Sequence, residues 1–381
     1  MTDDLLVSRR VLLAGGVAAS AALAGCSGGD EAADSPDAGE NGSPDDSSTN
    51  TQTTPEDPTP SLQEFAYPAG AARAGIDAAT LYETHRSTIV EGGSATVGNS
   101  TERTYSDFQS TTDATHRYSG DGTVRVTEQD GLTETAWSPA GESVAYVQMD
   151  TDFEQRYRID TEAMGPERLL LLRRFENLLK GMAWGEASAV VDLGEQRYAA
   201  RYESTGVADE ATLLQAVFGQ AVTEATASVA VTQDGTVGSL TYDVTVERED
   251  GSVRQEATLT VGAVGDTEVQ APEWGETARS DGVRFDVQPT DDGRAVELAM
   301  TNGAEIAAGA RLNFQSQGQF GDTQVREALS AGTRLYVGFS QSGELLVGYG
   351  SVPEGATQLD GFAFVAIRAE QYTLLERDVE L

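Results

Sequence analysis

Residues 228–274 read SVAVTQDGTVGSLTYDVTVEREDGSVRQEATLTVGAVGDTEVQAPEW, and this stretch decides the fold. Val229 and Val231 lead through Asp234-Gly235 into Leu240, Tyr242, Val244 and Val246, each separated from the next by a polar residue. Asp250-Gly251 then turns the chain into Val253, Ala257, Leu259 and Val261 on the same parity. A period of two is the signature of strands with one buried face, and Asp-Gly between such runs marks tight hairpins. The stretch is therefore an antiparallel meander with one face turned inward. The pattern stops at Ala271-Pro272-Glu273-Trp274, where a domain boundary is placed.

Working upstream, Leu213, Leu214, Val217 and Phe218 pair at helical spacing, and two short strands are expected near Val190 and Tyr198. Before these, Pro166 opens a second helix in which Leu169, Leu172, Phe175, Leu179 and Met182 recur on one face, with Trp184 just beyond. Leu170, Leu171 and Leu178 widen that stripe beyond what a surface helix needs. The stripe has two readings: ordinary core packing against the sheet, or the lining of an apolar cavity with Trp184 near its mouth. Residues 94–159 read as strands, with turns at Asp121-Gly122 and Asp130-Gly131. A first helix begins with Asp77 as N-cap, carries Leu81, His85 and Thr88 or Ile89 on one face, and is expected to end before Gly92-Gly93.

Downstream of Gly275 the pattern is all strand: Val296, Leu298 and Met300, then Leu335, Val337 and Phe339, then Phe362 and Phe364. Several short strands with Asp-Gly turns at Asp281, Asp292 and Asp360 imply a β-sandwich. The fold class is thus α+β: a curved antiparallel sheet packed on helices over residues 62–275, followed by a smaller all-β sandwich over 276–381.

The chain has 381 residues, with 62 acidic and 25 basic side chains, a net charge of -37 and a single lysine, Lys180. With 39% apolar residues it still has material for packed cores. Molar salt shortens the screening length to about 3 Å, so this composition points to a halophile, and it offers no basic stripe for nucleic acid. Residues 1–26 are an address: Ser8, Arg9, Arg10, Leu12 and Leu13 resemble a twin-arginine export signal. Leu23, Ala24, Gly25 and Cys26 resemble a lipobox, which implies a lipid on the Cys26 thiol and a location on the outer face of the cell membrane. Cys26 is the only cysteine, so no disulfide forms. Residues 27–61, rich in Gly, Ser, Thr, Pro and acid, read as a disordered stalk. Asn41 and Asn99 begin glycosylation sequons.

The order helix, antiparallel strands, two helices and closing meander resembles the half-barrel of the lipoprotein-carrier family that includes LolA, LppX and LprG. Residues 228–274 carry most of that likeness, including a final Pro-containing strand at Val269-Gln270-Ala271-Pro272. The resemblance implies a sheet wrapped over helices with room for acyl chains, and leaves the C-terminal part unexplained. Separately, Gly75-Ile76-Asp77 through His85-Arg86-Ser87 resembles the start of an uncharacterised family of haloarchaeal lipoproteins.

Enzymatic constellations do not stand out. His85 and His116 are the only histidines, neither HExxH nor a GxSxG elbow occurs, and Gly338-Phe339-Ser340-Gln341-Ser342 lacks the elbow's last glycine. Acid pairs such as Asp150 with Asp152 or Asp291 with Asp292 read as halophilic surface. No catalytic residue, metal or cofactor is assigned. The expected function is non-catalytic binding or carriage of a lipid-like ligand. The alternative is an envelope module in which the sandwich binds a partner protein, and an exported hydrolase using two acids is the third class.

Overall fold

Alternation of apolar and polar residues produces eleven strands of one antiparallel sheet. The computed structural model describes residues 59–194, 197–249 and 251–381. The export signal, the lipobox with Cys26, most of the expected stalk and Asn41 lie outside the described residues.

A short hairpin, β1 (Ala71–Ala72) with β2 (Gly75–Ile76), precedes helix α1 (Ala78–Gly92). Asp77 caps α1 by accepting the Thr80 N–H at 3.0 Å, and Gly93 closes it in the left-handed region at φ 68. Gly92 therefore belongs to the helix. Six strands follow as a meander: β3 (Ala95–Thr104), β4 (Gln109–Ser119), β5 (Gly122–Gln129), β6 (Leu132–Pro139), β7 (Ala145–Asp150) and β8 (Gln155–Asp160). Helices α2 (Pro166–Leu169) and α3 (Leu172–Gly181) come next, then β9 (Met182–Asp192) and β10 (Tyr198–Val207). Helix α4 (Glu210–Val217) leads into β11 (Ala221–Thr232), β12 (Val237–Arg248) and β13 (Gly251–Gly262).

In the sheet the order is β8-β7-β6-β5-β4-β3-β13-β12-β11-β10-β9, so the last strand pairs with the first, Leu259 opposite Asn99. Leu240, Tyr242, Val244, Val246, Val253, Ala257, Leu259 and Val261 are all buried, as their parity predicts. The region around Val190 and Tyr198 differs from expectation, because its strands are 11 and 10 residues long. Val269-Gln270-Ala271-Pro272 is not a strand; Val269 instead packs with Trp137, Tyr146 and Ala278 on the sheet's other face.

The expected second helix is two helices. Leu171 takes a left-handed conformation at φ 55, which ends α2 and starts α3 on a new axis. Such a conformation costs a branched side chain about 1–2 kcal/mol, and no helical periodicity signals it. Met182 is not helical either: it is extended and begins β9.

Helix α5 (Gly275–Asp281) precedes two further sheets. One orders β14 (Arg284–Pro289), β15 (Val296–Asn302), β18 (Arg334–Phe339) and β19 (Leu345–Tyr349); the other orders β17 (Gln319–Gln324), β16 (Arg311–Ser316), β20 (Phe362–Ala369) and β21 (Tyr372–Glu380). Their inward residues, among them Phe285, Leu298, Phe314, Phe339 and Val365, share one core. That core also takes in Val147 and Met149 of β7. The molecule is thus mostly antiparallel sheet with a few short helices, and α+β describes it only coarsely.

Candidate functional site

The face of the large sheet that carries Val97, Leu240, Val244 and Leu259 is covered by α1, α3 and α4, and this is where the sequence placed a ligand cavity. Leu169, Leu172, Phe175, Leu179 and Met182 are each 2% exposed or less, and Phe175, Leu178 and Leu179 join the sheet's valines and leucines in one cluster. Trp184 lies in β9, half-buried, and its indole N–H donates to the Leu179 carbonyl at 2.9 Å, closing the end of α3. The two best-formed hollows of the described residues, of about 540 and 370 Å³, both lie on the opposite face of the sheet. The residues expected to line a cavity are thus buried where α3 packs against the sheet.

Helix α3 is held on both sides. Toward α1, the Phe175 ring lies 4.9 Å from His85, and Lys180 sits 5.5 Å from the Tyr82 ring. Toward α4, the approach is so close that a Cβ on Gly181 would stand 2.8 Å from the Leu213 side chain and 2.9 Å from its Cα. Arg86 on α1 and Glu167 on α2 add an exposed ion pair at 2.7 Å.

One end of this covered face is not hydrocarbon. Asn99, Thr101 and Arg103 on β3, Gln255 on β13 and Tyr242 on β12 all point to the helix side, and Arg174 descends onto them from α3. Arg174 donates from Nη1 to Asn99 Oδ1 at 3.1 Å and from Nη2 to the Tyr242 hydroxyl, with its guanidinium carbon 5.5 Å from that ring. Gln255, 2% exposed, donates to the same hydroxyl, and accepts from Arg103 Nε at 3.4 Å. Arg174 Nε is buried without a partner. Among the described residues neither Arg103 nor Arg174 is ion-paired. The pKa of Arg103 is lowered, first by burial and then by the charge of Arg174. Nothing in the sequence reading named this cluster. Its one visible sign is Gln255, a polar residue standing on the buried parity between Val253 and Ala257.

Asn99 is turned into this cluster, where its Oδ1 also accepts from Thr101 at 3.1 Å. Asn99 is half-buried, and it is the Oδ1 of the expected sequon asparagine that these bonds engage. Both histidines are buried. His85 Nδ1 accepts the Val237 N–H at 3.0 Å, its Nε2 has no partner, and burial pushes its pKa down to about 3. His116 is pushed down to about 4 by burial and then by the charge of Arg125. Neither is a solvent-facing base. Among the described residues no group of three or more His, Cys, Asp or Glu is placed to hold a metal ion.

The opposite face is polar over its middle strands. Its hollows are lined by Ser100, Glu102, Asp113, Thr241, Asp243 and Glu256 among others. Arg254 lies over part of it, bonded to Asp243 and Glu256. This is a hydrated surface in which acids already share a cation.

The described residues thus form a large antiparallel sheet with one face under short helices and a polar cluster at its end. Neither a family profile nor a curated protein matches the sequence. Among solved structures, the chain is similar to the lipoprotein LppX of Mycobacterium tuberculosis, at 14% identity over 51% of this chain and 100% of that one, with a TM-score of 0.30. It is also similar to a chain of the Pseudomonas aeruginosa MucA/MucB complex, at 12% identity over 77% of this chain and 89% of that one, TM-score 0.25. A third is a putative outer membrane lipoprotein-sorting protein domain from Vibrio parahaemolyticus, at 8% identity over 52% and 96%, TM-score 0.20. At these values no ligand or partner is carried over from any of them.

Proposed function

We propose that this chain is a non-catalytic binding module, tethered through Cys26 to the outer face of the cell membrane of a salt-adapted archaeon, that takes up the apolar part of an amphiphilic molecule beneath α3. One observation carries the reading: between α1 and α4, the apolar sheet face is covered by a short segment with one backbone break inside it and another at its end. Leu170, Leu172, Phe175, Leu178 and Leu179 all come from residues 166–181, with left-handed Leu171 inside that segment and extended Met182 at its end. Five such side chains contribute about 1.5–3 kcal/mol each by burial, and a chain of about twelve methylenes offers about 10 kcal/mol at 0.8 each. In burial alone, a long acyl chain slid beneath α3 therefore nearly offsets the lifting of these side chains from the sheet. In this arrangement α3 lies over the place that the ligand would take.

Native mass spectrometry of protein from its host in high salt tests this, together with hydrogen exchange before and after adding dodecanol. The expected result is a bound amphiphile, or uptake of dodecanol with faster exchange at the α3 amides. Neither bound molecule nor uptake, with α3 protected as strongly as β12, would defeat the proposal. For the tether, Cys26→Ser is expected to move the protein from the membrane fraction to the medium.

A second reading, a protein-interaction module, is favoured by the outer face of the C-terminal sheet. Phe320 and Phe364 both stand opposite Gln315, and Phe362 lies on the same side two residues on, with Phe320 and Phe362 44% and 43% exposed. Cross-linking on intact cells should give one protein adduct that Phe320→Ser with Phe362→Ser removes. An adduct pattern unchanged by that pair would count against it.

A further inference from the structure

A chain with 62 acids and 25 bases has carboxylates to spare, and many of its arginines use them. Arg125 and Arg158 hold Glu134, Arg254 holds Asp243, Arg279 holds Glu142, and Arg334 holds Glu297. Arg103 and Arg174 do not follow this pattern. They converge on Tyr242 and Gln255 inside the covered face, while Glu102, Asp243 and Glu256 of the same strands project to the opposite side. Two guanidinium groups brought together in a half-buried place repel one another, and burying charge without a partner is unfavourable.

The donors are also left incomplete. Arg174 Nε is buried and unpartnered. The Tyr242 hydroxyl already receives N–H groups from both Arg174 and Gln255, so its own proton is directed to a third group. Among the described residues, Arg103 has only the 3.4 Å contact of its Nε with Gln255 as a side-chain hydrogen bond. Planar guanidinium forks beside a phenolic O–H suit a carboxylate or a phosphate, which would remove the repulsion and satisfy the donors together.

We propose that Arg103, Arg174 and Tyr242 form the site for the anionic end, carboxylate or phosphate, of the amphiphile whose chain lies beneath α3. This rests on the binding reading above and adds the headgroup chemistry to it. Position supports the assignment: the cluster sits where α3 meets the sheet, and Val244, Val253 and Phe175 continue the same face as hydrocarbon.

The test compares dodecyl phosphate, dodecanoate, dodecanol and inorganic phosphate by titration calorimetry with the full chain. One of the two anionic amphiphiles is expected to bind roughly tenfold or more tightly than dodecanol, and inorganic phosphate far more weakly. Arg103→Gln and Arg174→Gln should each abolish that preference while leaving dodecanol binding in place, and Arg174→Lys should restore part of it. Thermal unfolding separates binding from folding: without ligand, Arg103→Gln should melt no lower than the parent, because a repulsion is removed. Equal binding of dodecanol and both anions would overturn the headgroup assignment and leave the binding reading intact. Inorganic phosphate binding as tightly as dodecyl phosphate would overturn it in favour of a free anion. No binding of any of the three amphiphiles would remove both. A large fall in melting temperature in Arg103→Gln would make the pair structural and also overturn it.

Discussion

Acidification tests the interior most directly, through His85. The imidazole is fully buried, its Nδ1 accepts the Val237 N–H at 3.0 Å, and its pKa is pushed down to about 3. In the unfolded chain it titrates near its ordinary value of about 6.5. At pH 7 both states hold it neutral. Below about 6.5 the unfolded chain takes up a proton that the folded chain refuses until about pH 3, so folding stability falls steadily through that window as pH drops. Between pH 7 and pH 4.5 this one group contributes a loss of about 2.5 kcal/mol. Carboxylates contribute as well, so the measurement is a difference. His85→Asn keeps an acceptor near Nδ1 for the Val237 N–H and removes the titration. Urea unfolding of both proteins at pH 7 and 4.5 in constant high salt should show the parent losing about 2.5 kcal/mol more than the variant. Equal losses would mean that His85 is protonated or solvated in the folded chain, and the filled interior between α1 and α3 would be wrong with it.

Three further outcomes follow from the packing. Glu134 is a half-buried carboxylate: burial opposes its charge, but Arg158 and Arg125 outweigh this and lower its pKa, so Glu134→Gln leaves Arg125 without a carboxylate and Arg158 with Asp160 alone, and should lower stability by about 1–3 kcal/mol in urea unfolding. Gly181→Val drives a side chain into Leu213 at the contact of α3 and α4 and should lose about 1–3 kcal/mol by the same measurement. Phe175→Ala should cost about 3–5 kcal/mol, yet bind dodecanol more tightly than the parent by calorimetry, because it opens the space that the ligand is proposed to take; unchanged or weaker binding would speak against that exchange.

The sheet was legible wherever one face is buried against hydrocarbon. Leu240, Tyr242, Val244 and Val246 announce their strand because every second residue must avoid water. Helix α1 was legible from its cap, since an aspartate before an apolar stripe supplies the acceptor that the first turn lacks. The break at Leu171 was not, because leucine normally avoids a left-handed backbone and only tertiary packing holds it there. Met182 was misread for a related reason: an apolar residue one turn beyond Leu179 continues a helical stripe and equally begins a buried strand. The arginine cluster was hidden because its members come from three distant segments, at 99–103, 174 and 242–255, and only the pairing of β13 with β3 brings them together. Gln255 was in plain view on the buried parity, but one polar residue in an apolar ladder does not say what it meets.

The register also explains why one sheet needs two kinds of cover. Val97, His116, Arg125, Ala136, Val147 and Arg158 stand opposite one another across β3 to β8, so they share a single face. Eleven strands at about 4.8 Å make that face about 50 Å wide, whereas three helices side by side, at about 10 Å each, cover about 30 Å. The remainder is met by the C-terminal sheets, which is why Val147 belongs to their core while Val97 belongs to the helical one. Between the two covers the row turns polar, at His116 and Arg125, and Glu134 there ties Arg125 to Arg158. A charged seam of this kind keeps the two cores from merging, since any apolar side chain crossing it would have to displace paired ions. It also leaves the helices and the C-terminal sheets with separate cores on one sheet, Val97 in the first and Val147 in the second.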